Sequence, residues 1–244
     1  MSSEKQAARK AKKAAMRNHE DGQQDNEFSG PRFSDTLRLR TIKIVTQGSE
    51  FYVHEELLCQ ESEKFKKQLR GDFKEAQTGE IPDCEEDPAL MGMFFEYLYR
   101  GGWLLNEKIS HTSQFVLLAS LYCLADRLSA KSFKDAVFWK FTNAFYESEP
   151  LSDQEICELL LVIHTELPEQ EGHAEDLRNI IFWCTASRLS TLRHYSDFKN
   201  HILRQHPELG SQILRWASPA DSRSMPSINT NRPGPRFKEE VEFI

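Results

Sequence analysis

The chain opens without a hydrophobic period. Residues 1–33 are polar, hold Gly22, Gly30 and Pro31, and offer little to bury, so they read as a disordered arm. The pattern changes at Leu37. Ile42 and Ile44 alternate with Thr41, Lys43 and Val45; Gln47-Gly48-Ser49 breaks the run, and Phe51 and Val53 resume it around Tyr52. Successive side chains on a strand point to opposite faces, so two such runs about a glycine turn predict a β-hairpin. Ile42, Ile44, Phe51 and Val53 fall on its buried face, Lys43 and Tyr52 on the other.

Beyond His54 the period becomes helical. Leu57 and Leu58, then Phe65 and Leu69, predict two short helices, with Ser62 placed to cap the second by accepting an otherwise unpaired backbone N–H. A short strand is expected around Gly79 to Pro82. Asp87-Pro88 is a helix start, because Asp caps and Pro at the first helical position has no N–H to lose. That helix runs through Met91, Phe94, Phe95 and Leu98 to a stop at Gly101-Gly102, and its nearly all-round apolar surface predicts burial. Phe115 to Leu128 is equally apolar, and Phe133 to Phe145 follows. Pro150 marks a boundary, with Ser152 or Asp153 positioned to cap a helix bearing Ile156, Leu159, Leu160 and Ile163 and ending by Pro168. Glu169 to Gly172 reads as a linker. Leu177, Ile180, Ile181 and Cys184 define a further helix, and Phe198, Ile202 and Leu203 another, broken at Pro207. A last apolar turn spans Leu209 to Trp216. After Ser218, four of the ten prolines fall in a Ser/Asn-rich tail expected to be disordered.

The expected fold class is therefore α+β, a small sheet against a helical body followed by an all-helical extension. Its segments are a basic and polar arm over 1–33, a folded domain over 34–146, helices over 147–218 and a tail over 219–244.

Composition narrows the function. Of 244 residues, 39% are hydrophobic, enough for a core, and 28% are charged, as in a soluble protein. The longest near-apolar run, Phe115 to Ala125, is far short of the roughly 20 residues that a membrane span needs, and no secretory signal is visible behind the basic N-terminus. Five scattered cysteines without a Cys-x-x-Cys pair favour a reducing compartment, so the expected location is nuclear and/or cytoplasmic. Residues 1–17 carry six basic side chains against Glu4, a net of +5; with a total of −7, the remainder carries −12. So acidic a body is unsuited to phosphate backbones, which disfavours nucleic-acid binding by the folded part. The basic block is either a solubilising arm or a nuclear import signal, with Lys10, Lys12 and Lys13 as its candidate residues.

Catalytic patterns are absent: no Gly-x-Ser-x-Gly, no Gly-x-x-x-x-Gly-Lys and no Gly-x-Gly-x-x-Gly. Cys157 and His164 lie two turns apart on one predicted helix, yet a core cysteine with an unrelated histidine explains them better than a nucleophile and its base. His111, His173 and His194 lack spaced partners for a metal, and Glu85-Glu86-Asp87 reads as a solvated turn plus a cap. No enzymatic activity, cofactor, metal or small-molecule substrate is expected.

One ordered series of features runs from Asp35 through Phe51-Tyr52-Val53-His54-x-x-Leu57-Leu58, Ser62-x-x-Phe65 and Phe73-Lys74-Glu75. It continues through Ile81-Pro82, Asp87-Pro88, Phe94, Tyr97-Leu98-Tyr99-x-Gly101 and Leu118 to Leu128. The series resembles the BTB/POZ domain, in particular the short stand-alone BTB proteins of filamentous fungi, whose helical extension with a Leu-Arg pair is similar to the Leu151–Leu192 region with Leu177-Arg178. The resemblance implies a three-stranded sheet with a cluster of five helices and a protein–protein interaction role. Many such domains homodimerise, and many bind the N-terminal helices of a cullin, bringing substrates to a ubiquitin ligase. Phe73 and Glu75 then fall at the cullin-contacting hydrophobic-x-Glu element, or Phe73 packs on its own domain and Glu75 caps or faces water. His54 matches a position that orients the hairpin-to-helix turn, and Asp35 one that shapes the pocket of dimeric members. Residues 18–34 are too polar for the N-terminal helix that such dimers use. Kelch-like repeats, a MATH-like sandwich and a Cys/His zinc finger are missing. Two readings follow: a cullin-linked substrate adaptor, slightly ahead, and a self-associating nuclear scaffold or transcription cofactor. An enzyme, which would need a deep pocket joining Cys157, His164 and an acid, is a remote third, and capture of the terminal Glu242-Phe243-Ile244 by a carboxylate-binding groove a weak fourth.

Overall fold

A computed structural model describes residues 38–103, 113–147, 150–167 and 176–217, all within one compact unit that begins at Arg38. The expectations for the basic arm with Lys10, Lys12 and Lys13, for Asp35, His111 and His173, for the 169–172 linker and for the C-terminal tail lie outside the described residues.

Strands β1 (Thr41–Thr46) and β2 (Ser49–His54) pair antiparallel, with Ile42 opposite Val53, Ile44 opposite Phe51 and Lys43 opposite Tyr52. Ile42, Ile44 and Val53 are buried, and Phe51 is half-buried against Phe95 with ring centroids 5.1 Å apart. Gln47 and Gly48 make the connection with φ of 45° and 82°, the two positive values that a type I′ hairpin turn requires. Strand β3 (Glu80–Cys84) runs parallel to β1, giving the order β2-β1-β3. Pro82 is tolerated there because β3 is an edge strand.

Six helices follow among the described residues: α1 (Glu55–Glu61), α2 (Glu63–Arg70), α3 (Lys74–Thr78), α4 (Pro88–Arg100), α5 (Gln114–Arg127) and α6 (Lys131–Glu147). The α+β class that the pattern predicts is what forms, with α3 a short turn of five residues. The expected caps form. Ser62 Oγ accepts the Phe65 N–H at 3.2 Å and donates to the Leu128 carbonyl at 2.6 Å, so one hydroxyl starts α2 and ties it to the end of α5. Asp87 Oδ1 accepts the N–H groups of Ala89 and Leu90, and Gly101 ends α4 at φ 70°. Stacked and tilted phenylalanines, Phe65 on Phe94 and Phe94 on Phe133, fill the centre. Helix α5 is the hub, with Leu118, Leu121, Cys123, Leu124 and Ala125 fully buried.

Beyond α6 come α7 (Asp153–Glu166), α8 (Asp176–Ser187), the single turn α9 (Leu189–Leu192), a π-helical stretch (Phe198–Leu203) and α10 (Pro207–Ala217). Helix α7 lies parallel to α5, clamped at both ends. Ser113, before α5, donates to Glu155 on the first turn of α7 at 2.5 Å, and Arg127 at the end of α5 reaches Glu166 at the end of α7 at 3.1 Å. Helix α8 runs the opposite way along α7. Arg178 near its start donates to the Ile163 carbonyl (3.2 Å) and to Leu167 O, closing the open carbonyls of α7. Arg188, just past its end, holds Leu151 O and Asp153 at the start of α7. The Leu177-Arg178 pair thus has a physical reason: Leu177 is buried and Arg178 caps the neighbouring helix.

Two expectations need correction here. Phe198, Ile202 and Leu203 do not lie on an α-helix: Arg204 N–H reaches back five residues to Lys199 O, and the wider turn sends Phe198 and Ile202 into the core. Pro207 does more than break that element; it opens the eleven-residue α10, where its missing N–H costs nothing, so the last apolar turn is a full helix. One hydrophobic core runs continuously from Ile42 to Ile213.

Candidate partner-binding surface

The turn between α2 and α3 carries the residues of interest. Helix α2 buries Phe65 and Leu69 and keeps Lys66 and Arg70 toward solvent, so it ends on the surface. Gly71 N–H closes its last turn on Lys67 O at 3.1 Å. A Cβ at Gly71 would stand 2.6 Å from that carbonyl and 2.9 Å from the Phe73 ring, so the close approach requires glycine. The ring of Phe73 rests over Gly71 of its own domain and remains 56% exposed, so it packs there with one face only.

Helix α3 is held from both ends. The Phe73 carbonyl accepts the Ala76 N–H at 3.1 Å, Gly79 terminates the helix at φ 70°, and Arg40 Nη1 donates to Ala76 O at 3.1 Å. Glu75 is half-buried in the first turn, where the positive end of the helix dipole favours a carboxylate. Phe73 and Glu75 are therefore brought together on one short, anchored turn.

A second patch lies on the outer face of the sheet. Tyr52 is 66% exposed, beside Lys43, whose ammonium sits 2.8 Å from Glu50 and 3.5 Å from Glu80. The hydrogen bond to Glu50 raises Lys43 above its ordinary pKa and lowers Glu50 below its own. His54 serves the turn into α1: its N–H donates to Tyr99 Oη at 3.1 Å, and its Nδ1 lies 2.7 Å from the same hydroxyl. One tyrosine thereby fixes both backbone and ring at the hairpin-to-helix junction.

The chemistry expected to be weak is taken apart by the fold. Burial pushes the Cys157 thiol up to about 11 and Cys123 up to about 12, which leaves little thiolate at neutral pH. The imidazole two turns along the same helix is engaged elsewhere, with His164 Nε2 2.9 Å from Glu208. All five cysteines are buried and free.

Glu86 overturns the reading of Glu85-Glu86-Asp87 as a solvated turn. Its side chain is 9% exposed, Arg127 donates to it from Nε (3.0 Å) and Nη2 (2.8 Å), Lys64 stands 3.6 Å away, and Thr46 Oγ1 donates to its carbonyl. No local signal marks Glu86, because its partner lies 41 residues on. The grouping of His164, His206 and Glu208 was missed for the same reason, since its members meet only when α10 folds back.

Among the described residues no helix is long and apolar enough to cross a membrane. A search of curated proteins returned no significant match to the chain. The family model of the BTB/POZ domain matches residues 33–137, from just before β1 into the first half of α6. A hairpin, a parallel third strand and the surrounding helices in that span fit the match, and such domains are protein–protein interaction modules. The chain therefore carries a BTB/POZ domain over residues 33–137.

Proposed function

We propose that this BTB protein is a non-enzymatic adaptor that docks on the N-terminal helical region of a cullin through Phe73 and Glu75. The helices from Leu151 to Trp216, or the segments at either end, would take the substrate. The observation that supports this reading most is the 56% exposure of Phe73 on an anchored turn. A soluble domain gains nothing by holding a phenylalanine in water, whereas an aromatic anchor filling a partner's pocket commonly contributes about 2 kcal/mol or more. Glu75, fixed two residues on, supplies a polar contact at the rim of the same footprint.

Calorimetric titration of the full chain with a cullin N-terminal region tests the proposal. Micromolar or tighter binding is expected, weakened at least tenfold and nearer 30-fold by Phe73→Ala, with an unchanged circular dichroism spectrum. No heat from folded wild type overturns it. The self-associating scaffold would then lead, with the exposed Tyr52 face as its candidate contact and concentration-dependent mass in sedimentation as its sign. In that reading, Lys10, Lys12 and Lys13 direct the chain to the nucleus.

A further inference from the structure

The last turn of α7 and the start of α10 bring three metal-binding side chains to one point. His164 Nε2 lies 2.9 Å from Glu208 Oε1, and His206 Nδ1 lies 3.6 Å from the same oxygen. The two imidazole rings meet edge to face with centroids 4.7 Å apart, and one donor atom from each of the three residues lies within 4.8 Å of the others. Bonds of roughly 2.0–2.1 Å in a tetrahedral site hold their ligand atoms about 3.3 Å apart, so these separations need only small side-chain rotations to close on one ion.

We propose that His164, His206 and Glu208 form a binding site for a divalent transition-metal ion, zinc in the first instance, with the fourth position open to water or a partner's side chain. The donor set argues the choice of ion. Two imidazoles and one carboxylate suit zinc, cobalt or nickel, whereas calcium and magnesium call for a shell of oxygens. Both imidazoles converge on a single carboxylate oxygen, so a direct contact leaves the second Glu208 oxygen unused by either ring. A dication uses both nitrogens and the oxygen at once.

The backbone around the site is already positioned. Ile163 and Leu209, next to ligands on their respective helices, are fully buried. His206 N–H bonds to Ile202 O at 2.9 Å, its carbonyl accepts the Leu209 N–H at 3.1 Å, and Pro207 fixes the first position of α10. The histidine side chains are about one quarter exposed and Glu208 about one half, so an ion has a route in. Binding would staple α10 to α7, two elements joined through some forty residues of chain. This inference is independent of how the Phe73 surface is used.

The test uses the full chain, stripped with a chelator and dialysed, then titrated with zinc by calorimetry and with cobalt by visible absorption. One ion per chain is expected, and a hundredfold excess of zinc over its Kd should raise Tm by about 5–10 °C. His164→Ala and His206→Ala should each weaken zinc binding at least tenfold, while His201→Ala, an exposed histidine nearby, should not. Glu208→Gln keeps the shape and removes the charge, so it reports on the site even if a histidine variant folds poorly. Absence of saturable one-to-one binding overturns the proposal, as does binding that survives both histidine substitutions in folded protein or cobalt spectra showing thiolate ligands.

Discussion

Arg127 gives three hydrogen bonds from one guanidinium, two to Glu86 and one to Glu166, and so connects the turn before α4 to the end of α7. Glu86 is the partner that cannot be abandoned. Its side chain is nearly buried, and without Arg127 only Lys64 at 3.6 Å would remain to offset its charge. Arg127→Met should therefore cost about 2–3 kcal/mol, below the upper range for broken buried pairs because the guanidinium is itself one-third exposed. Adding Glu86→Gln removes the stranded charge, so the double variant should be less destabilised than the two single losses summed. Urea unfolding of the four proteins gives the coupling, and strict additivity would show that the pair does not act as argued.

At the scale of elements, the α2–α3 turn joins stability to the candidate surface through Gly71. A Cβ there meets the Lys67 carbonyl, which cannot swing away without breaking the last turn of α2. Gly71→Ala is expected to cost about 1–3 kcal/mol and to displace the Phe73 ring, so it should lower the urea midpoint. Partner binding should weaken with Phe73 itself still present. An unchanged midpoint would mean that the turn relaxes freely. Such local punctuation was largely readable in the sequence: Ser62, Asp87 and Ser152 cap where their side chains predict, because capping depends on residues two or three positions away. Period two in β1 and β2 likewise placed Ile42, Ile44 and Val53 inward. What escaped was whatever depends on distant chain. Pro207 carries the same local signal whether it ends one helix or begins another, and the π-helical register of Phe198–Leu203 follows from packing rather than propensity. For the same reason Phe73 could be noticed in the sequence but its exposure could not, and the His164–His206–Glu208 group has no spacing that would reveal it.

At the scale of the whole molecule, the central fact is that α7 is docked in parallel on α5, although the family match ends within α6. Parallel neighbours align their dipoles unfavourably, so polar contacts at the ends matter, and the N-terminal one centres on Glu155. Burial works to raise the Glu155 pKa, but hydrogen bonds from the Ser113 hydroxyl and from the Ser152 N–H and hydroxyl outweigh it and hold the carboxyl below the ordinary glutamate value. A carboxyl with a depressed folded pKa contributes stability that is present above its unfolded value, about 4.3, and is lost as pH falls through the lower folded value. Glu155→Gln keeps the side-chain shape but cannot ionise. The stability gap between wild type and this variant should thus be constant from about pH 7 to 5 and close progressively below about pH 4.3. Urea titrations at several pH values measure the gap directly. They also report on cooperativity: a continuous core from Ile42 to Ile213 predicts a single transition in both proteins, with the extension and the BTB domain unfolding together. A gap independent of pH would remove Glu155 as an ionised link between α5 and α7, and a separate early transition would show that the extension is held only loosely.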